Sequence, residues 1–465
     1  MVVNERGLRL DIPLVMKTQT VLAKLEGKIV DEVRIITKSD VYPQGLKPTQ
    51  RDKMMGVFHA MGVKLENLQA DHVRKYMKLN VRTLAPEAKR LLQLRIEAGK
   101  SSTKKLVSMM LYATLEDPVA RGTLMMYGAH TGRWSGKGVQ PHNFIRGTLK
   151  WDEQQRVFKL LNMEDHEVFD ILYEWPISII SSCMRGFIIP HPGKVFFVVD
   201  YASIEARVLS WLADDTQMLN AFLKGIDVYK LMAAALYATT IEEVTSEQRR
   251  IGKNLVLGAG YGLGAAKFVA YSEKAGVEIG EDFAKRAIKA YRTERHKVVR
   301  LWGDVERCAI TAVRERRGPD IAVILRGLAF YVEERWFCIR LPSGRVLRYF
   351  SPRVSPVEKW GEPALQLSYK SEIRGRMYPE TTYGGKLVEN ITQAVARDVL
   401  VHGMINAEKA GYTVHGTVHD EILTEREEDA GSVHELEEIV CKLPAWARGL
   451  PVSAEGFMSP RYRKG

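Results

Sequence analysis

Apolar and charged positions alternate at helical spacing through about the first hundred residues, so this part of the chain reads mainly as helix. Asp11-Ile-Pro13 and Lys47-Pro-Thr-Gln50 supply helix starts, each pairing polar groups with a proline whose missing N–H costs nothing in a first turn. The helical part ends in Lys100-Ser-Ser-Thr-Lys-Lys105. Lys104, Lys105 and the hydroxyls suit a phosphate backbone, while a solvated helix terminus explains the same run equally well.

Strand patterns come later. Val195-Phe-Phe-Val-Val199 is a continuous β-branched and aromatic run, and Cys338-Ile-Arg-Leu341 with Arg345-Val-Leu-Arg-Tyr349 predicts a hairpin around Pro342-Ser-Gly344. A further strand pair is expected near Tyr412-Thr-Val414 and Glu421-Ile-Leu423. Helical patterns occupy about Ile204 to Arg317 and Leu387 to Ala410, with no internal repeat and no low-complexity tract. The pattern predicts a small sheet interrupted by a large helical insertion.

The chain has 465 residues, more than one hydrophobic core usually organises, which predicts several subdomains around a common centre. No apolar run approaches the roughly 20 residues needed to span a bilayer, and the N-terminus lacks a signal-peptide pattern, so a cytoplasmic protein without a membrane partner is expected. Lys and Arg number 68 against 56 Asp and Glu, a balance of +12 that favours a polyanionic partner without identifying it. The four cysteines are scattered without a CxxC pair, which argues against a disulfide framework or a cysteine-based zinc site.

The candidate chemistry lies at the strand ends. Asp200 follows the buried run Val195–Val199, and His419-Asp420-Glu421 sits at the turn expected between two later strands. Carboxylates brought together there repel one another unless a hard cation lies between them. Between the two acidic sites, Arg249, Lys253, Leu257 and Tyr261 are spaced by four. On a helix they fall within an arc of about 120°, presenting two cations, apolar packing and a ring to a nucleoside triphosphate. Gly258-Ala-Gly-Tyr-Gly262 alternatively suggests a dinucleotide-binding loop, although it lacks the GxGxxG spacing and follows a helical pattern rather than a strand. A metal-dependent phosphodiesterase or nuclease would share the acids but has no need of the cationic helix.

Taken in order, Asp200-Tyr-Ala-Ser-Ile-Glu-Ala-Arg207, the Arg249/Lys253/Tyr261-Gly262 segment and His419-Asp-Glu421 resemble motifs A, B and C of family A DNA polymerases, the family of bacterial DNA polymerase I. Thr131-Gly-Arg-Trp-Ser135 followed by Asn143, Asn390-Ile-Thr-Gln393 before a helix, and the ending Val452-Ser-Ala-Glu-Gly456 through Tyr462-Arg-Lys464 are also similar. The resemblance runs from about residue 90 to the end of the chain and implies an α+β right-hand fold. Its thumb would occupy 1–115, an antiparallel-sheet palm 116–204 and 372–465, and helical fingers 205–371.

The same resemblance implies a monomeric, template-directed polymerase acting on primer–template DNA and deoxynucleoside triphosphates in DNA replication. Asp200 and Asp420 would bind two Mg²⁺ ions together with the backbone carbonyl of Tyr201, with Mn²⁺ as a substitute, and Glu421 would assist. Arg249 and Lys253 would grip the triphosphate, with Lys253 donating a proton to the leaving pyrophosphate. Glu205 would bond Tyr261 and exclude a 2′-hydroxyl, Leu257 would face the sugar, and Tyr229 stands where many members carry a phosphate-binding histidine. Arg133, Asn143 and Gln393 would reach the primer–template minor groove, with His419 beside the primer terminus.

Ala202, Ser203 and Leu257 depart from the family's usual residues. Trp134 and Gly136-Lys-Gly138 look more like phage replicative enzymes, which would place the protein in a bacterial host's cytoplasm. Nothing before Lys100 offers the Asp-x-Glu strand of a proofreading exonuclease, so no 3′→5′ exonuclease is expected from this chain.

Overall fold

The structure is a computed structural model that describes residues 2–464 apart from Val81, Ser101, Arg146, Thr148, Trp360 and Arg374. Ser101 of the cationic run therefore lies outside the described residues. Helix Ile12–Thr37 begins where expected, with Asp11 accepting the Leu14 N–H at 3.2 Å and Pro13 in the first turn. Its buried Leu14, Val15, Val21, Leu22, Leu25, Ile29 and Val33 pack against helices Pro86–Ala98 and Trp151–Met163. Each such side chain contributes about 1.5–3 kcal/mol relative to exposure. Gln50 precedes helix Arg51–Ala60. Lys104 and Lys105 open helix Lys104–Tyr112 rather than ending a helix, so their charge meets the positive end of the helix dipole.

Strand Val195–Tyr201 lies inside a four-stranded antiparallel sheet, between Glu421–Arg426 and Ala454–Ser459, with Thr413–Val418 at one edge. Its side chains alternate between two cores. Phe196 and Val198 join the cluster of the N-terminal helices, while Phe197, Val199 and Tyr201 join a second cluster on the other face. Burial of both faces is why the segment reads as an unbroken apolar run rather than an alternating one.

The expected helical insertion follows as Ile204–Leu212, Thr216–Leu223, Val228–Tyr237, Ser246–Ala259, Ala265–Lys274, Glu281–Glu294 and His296–Arg314. A buried ion pair between Arg295 and Asp215 ties the start of the last of these to the start of Thr216–Leu223.

The helical pattern stops at Arg314, close to the Arg317 read from the sequence, so the helical character that the resemblance implied for residues 205–371 does not extend to 371. Residues from Val323 to Thr382 instead form a six-stranded antiparallel meander. Only its hairpin was legible: Trp336–Arg340 pairs with Val346–Lys359, placing Cys338 opposite Arg348. The outer strands carry little apolar alternation because they face solvent, as in the largely exposed Arg376–Thr382. Cross-strand register, rather than a buried face, holds them. Helix Gly384–Lys409 then leads back to the small sheet, and Asn390–Gln393 lies inside it rather than before it. Among the described residues no helix is long and apolar enough to cross a membrane.

Candidate active site

Asp200 sits inside the strand Val195–Tyr201, directly across from Glu421 on one side and Glu455 on the other. The hairpin turn at His419-Asp420 is tight, and His419 takes the left-handed conformation (φ 58°) that such turns favour. The Tyr201 N–H donates to the Asp420 carbonyl at 3.2 Å, which holds the turn beside the end of the central strand. Two chain segments 220 positions apart thus deliver acids to one end of the sheet.

The electrostatics show what this crowding costs. Burial raises the Asp420 carboxyl to about 6; Arg133 and Lys464 pull it down, while Glu205 and Asp200 push it further up. Burial likewise raises Glu421, whose side chain accepts a hydrogen bond from Tyr462. The Lys464 ammonium lies 2.5 Å from Asp200 Oδ2 and 3.2 Å from Glu421 Oε2. Burial disfavours that ammonium, but the two carboxylates outweigh the effect and hold it charged. Lys464 was not among the expected site residues, since no spacing rule joins it to a strand 264 positions away.

The acids open onto a cleft of about 680 Å³ that is also lined by Glu205, Tyr229, Lys253, Leu257, Tyr261 and Gln393. Helix Ser246–Ala259, started by a Thr245/Gln248 capping box, carries Lys253 and Leu257 into it. Tyr261 is not on that helix: it follows Gly260 in a turn, yet still points into the same cleft. Its hydroxyl donates to Glu205 Oε2 at 3.3 Å, and Glu205 also pairs with Arg133. Arg249 lies outside the cleft lining, and its Nε donates to Asp227 Oδ2 at 2.5 Å. The Tyr229 ring lies 5.7 Å from the Lys253 ammonium and 5.4 Å from the Arg249 guanidinium, within cation–π range. Its hydroxyl is 2.8 Å from Ser203 Oγ.

The residues expected to meet a duplex divide into two groups. Arg133 is turned into the site, 3.7 Å from Asp420 Oδ1, and Gln393 donates to Glu389 Oε1 at 3.4 Å. His419 rests edge-on against His142 at 5.4 Å, and burial lowers His142 to about 4. Asn143 and Lys105 lie outside the cleft but converge on one acceptor, Gln140 Oε1, at 2.8 and 3.0 Å. Lys104 beside them is exposed. Sequence reasoning also missed Arg345, which donates to Asp398, to the Thr131 carbonyl and to the Ala394 carbonyl. It fastens the segment bearing Arg133 to helix Gly384–Lys409.

The donor set of Asp200, Asp420 and the Tyr201 carbonyl is all hard oxygen, and the strain on Asp420 signals negative charge short of compensation; both fit divalent cations. A stability test follows. Because the folded value near 6 lies above the ordinary 3.8, Asp420 favours the fold when protonated. Without divalent ions its contribution is full below 3.8 and is lost as pH rises through 6. Thermal melts across that window are expected to show this loss in the natural protein, its recovery above the window with Mg²⁺, and neither in Asp420→Asn. Identical pH profiles for the two proteins would remove Asp420 as the strained group.

The model of DNA polymerase family A matches residues 176–313, a span that includes Asp200 and Lys253. The chain is 32% identical to the DNA polymerase of Bacillus phage SP02 over 99% of its own length and 69% of that protein's. It is 30% identical to DNA polymerase I of Aquifex aeolicus over 28% of its length and 22% of that protein's. Its fold is similar to the polymerase domain of Pol1 from M. smegmatis, solved with DNA primer-template and dNTP. That match has a TM-score of 0.63 at 17% identity, covering 98% of this chain and 67% of the other. The Gly258–Gly262 run closes a helix instead of opening one, which removes the geometry needed for a dinucleotide loop.

Proposed function

Because the chain belongs to DNA polymerase family A, we propose that it extends a DNA primer on a template with deoxynucleoside triphosphates, in DNA replication. The observation that carries this reading is the meeting, in one cleft, of Asp200 and Asp420 with Lys253, Tyr261 and Glu205.

Divalent metal ions belong to this family's chemistry, and here we assign two Mg²⁺, replaceable by Mn²⁺, to Asp200, Asp420 and the Tyr201 carbonyl. Bound there, they supply activation of the primer 3′-hydroxyl and neutralisation of the leaving pyrophosphate. Every other contribution comes from the chain. Lys464 holds the acids together electrostatically and must release Asp200 when that carboxylate becomes a ligand. Lys253 and the Tyr229 hydroxyl face the volume where phosphates would lie, while Arg249 reaches phosphate only by leaving Asp227. Leu257 and Tyr261 supply the apolar wall for sugar and base. Arg133, Gln393 and His419 flank the primer end, and Lys104, Lys105 and Asn143 form a separate surface suited to the duplex backbone.

We assign residues 1–115 to the thumb, 116–204 and 372–465 to the palm and 205–371 to the fingers, with the chain acting as a monomer in a bacterial host's cytoplasm. Primer extension on a defined template tests the core reading: lengthened primer with Mg²⁺ supports it, and shortened or unchanged primer overturns it.

Glu205 carries a selectivity prediction. It stands between Arg133 and Tyr261 at the cleft wall, where a 2′-hydroxyl would meet the carboxylate. Glu205→Ala is expected to raise ribonucleotide use relative to deoxynucleotide by at least about tenfold, the scale on which a pocket rejects an added hydroxyl. The ratio of kcat/KM values isolates this effect from any general loss caused by releasing Arg133. An unchanged ratio would deny the steric role.

A further inference from the structure

At the opposite end of the small sheet from the acids, His191, His415 and Glu425 converge, with one donor atom from each lying within 4.8 Å of the others. Glu425 follows Glu421 by four residues on the same strand, which places this cluster roughly 13 Å away at ordinary strand rise. His191 comes from the loop before Val195–Tyr201, and His415 from the neighbouring strand Thr413–Val418. The His191 Nδ1 lies 2.8 Å and the His415 Nε2 3.6 Å from the same oxygen, Glu425 Oε2. The Glu425 side chain is 1% exposed and that of His415 6%. Among the described residues, Glu425 has no ion-pair partner other than these two rings.

One contact outside the cluster defines its chemistry. His415 Nδ1 lies 3.0 Å from the Gly7 carbonyl, which can only accept, so Nδ1 carries the proton. The lone pair of Nε2 is therefore left facing a buried carboxylate. The same oxygen, Glu425 Oε2, accepts the His191 backbone N–H at 3.0 Å, so backbone and both rings converge on one carboxylate. A carbonyl that fixes the tautomer of a ligating imidazole is a common second layer of metal sites.

We propose that His191 Nδ1, His415 Nε2 and Glu425 form a transition-metal site that prefers Zn²⁺ and is separate from the carboxylate site for Mg²⁺. Two imidazoles and one carboxylate suit zinc, whereas Mg²⁺ prefers oxygen alone. Zinc bonds of about 2.0–2.2 Å place tetrahedral ligands roughly 3.3–3.5 Å apart. The His415–Glu425 separation already meets that spacing, and the loop bearing His191 has to open by about half an ångström. The His191 side chain is 31% exposed, which leaves the fourth position to water. The metal would clip the residue 7 segment and the loop before the central strand to the hairpin that carries Asp420.

The test uses the full chain after chelation and dialysis, titrated with Co²⁺ as a visible-absorbing probe and then with Zn²⁺. One equivalent of Co²⁺ displaced by Zn²⁺ is expected, unchanged in Asp200→Ala/Asp420→Ala and weakened more than about tenfold in His191→Ala. His191 is partly exposed, so that variant keeps its fold, which circular dichroism verifies. Zn²⁺ should also raise the melting temperature of the natural chain and not of His191→Ala. Absence of stoichiometric Co²⁺ binding, binding lost with Asp200 and Asp420, or equal affinity in His191→Ala each overturns the assignment.

Discussion

Asp200→Ala and Asp420→Ala are each expected to lower primer extension by on the order of 10³ or more, because metal stabilisation of transition-state charge is worth several kcal/mol. Affinity for primer–template should stay close to that of the natural chain. Duplex binding rests on many phosphate contacts, and removing one carboxylate from an acidic cluster takes away repulsion rather than attraction. The fold should survive for the same reason: Asp420 is strained by burial and by Glu205 and Asp200, so its loss relieves more than it removes. Asp200→Ala frees Lys464 to pair with Glu421 alone. Single-turnover extension and fluorescence anisotropy on the same duplex separate the two effects. Turnover within tenfold of the natural protein in either variant would remove that residue as a metal ligand.

The parts of this site that were legible in the sequence are those written into single elements. Val195–Val199 is apolar on both faces, so it announced a central strand and with it the position of Asp200. His419-Asp420-Glu421 lay between two apolar runs and read as a turn; His419-Asp420 form it, and Glu421 opens the following strand. The four-residue spacing from Arg249 to Tyr261 leads to Lys253, Leu257 and Tyr261, which line one cleft, but it misreads the geometry at both ends. The helix stops at Ala259, before Tyr261, and Arg249 turns to Asp227. Helical periodicity places residues on a face, but it contains nothing about a glycine turn or a competing carboxylate from another helix.

What remained hidden depends on long-range pairing. The inner strands of the meander from Val323 to Thr382 bury Phe330, Phe337 and Ile339 in the second core, but its outer strands, Glu362–Ile373 and Arg376–Thr382, are paired through register with little buried face, and such strands leave little hydrophobic alternation to read. Lys464, Tyr462 and Arg345 act on residues far away in the chain; the Tyr462-Arg-Lys464 ending shared the family's pattern, but nothing in local context shows which acids it meets. The His191, His415 and Glu425 cluster was invisible for the same reason: its members share no spacing motif and meet only once three segments of the sheet are in register.

Lys253→Ala is expected to lower kcat by about 10²–10⁴, the range for loss of a positioned general acid. Lys253 lines the cleft beside Asp200 and Asp420, while Arg249, one turn earlier on the same helix, lies outside the lining and is paired with Asp227. Two roles are possible for such a cation, and they separate kinetically. If Lys253 only grips the triphosphate, its loss raises KM, and Lys253→Arg restores most of the activity by returning the charge. If it also gives its proton to the leaving pyrophosphate, Lys253→Arg recovers KM but not kcat, because a guanidinium holds its proton above pH 12 and is a poor donor. We expect the second pattern. The Tyr229 ring already keeps the ammonium in place at 5.7 Å, so the position does not depend on bound phosphate alone. Pre-steady-state single-nucleotide kinetics with both variants provide the measurement. Recovery of kcat to within tenfold in Lys253→Arg would reduce Lys253 to a binding residue and leave the proton to water.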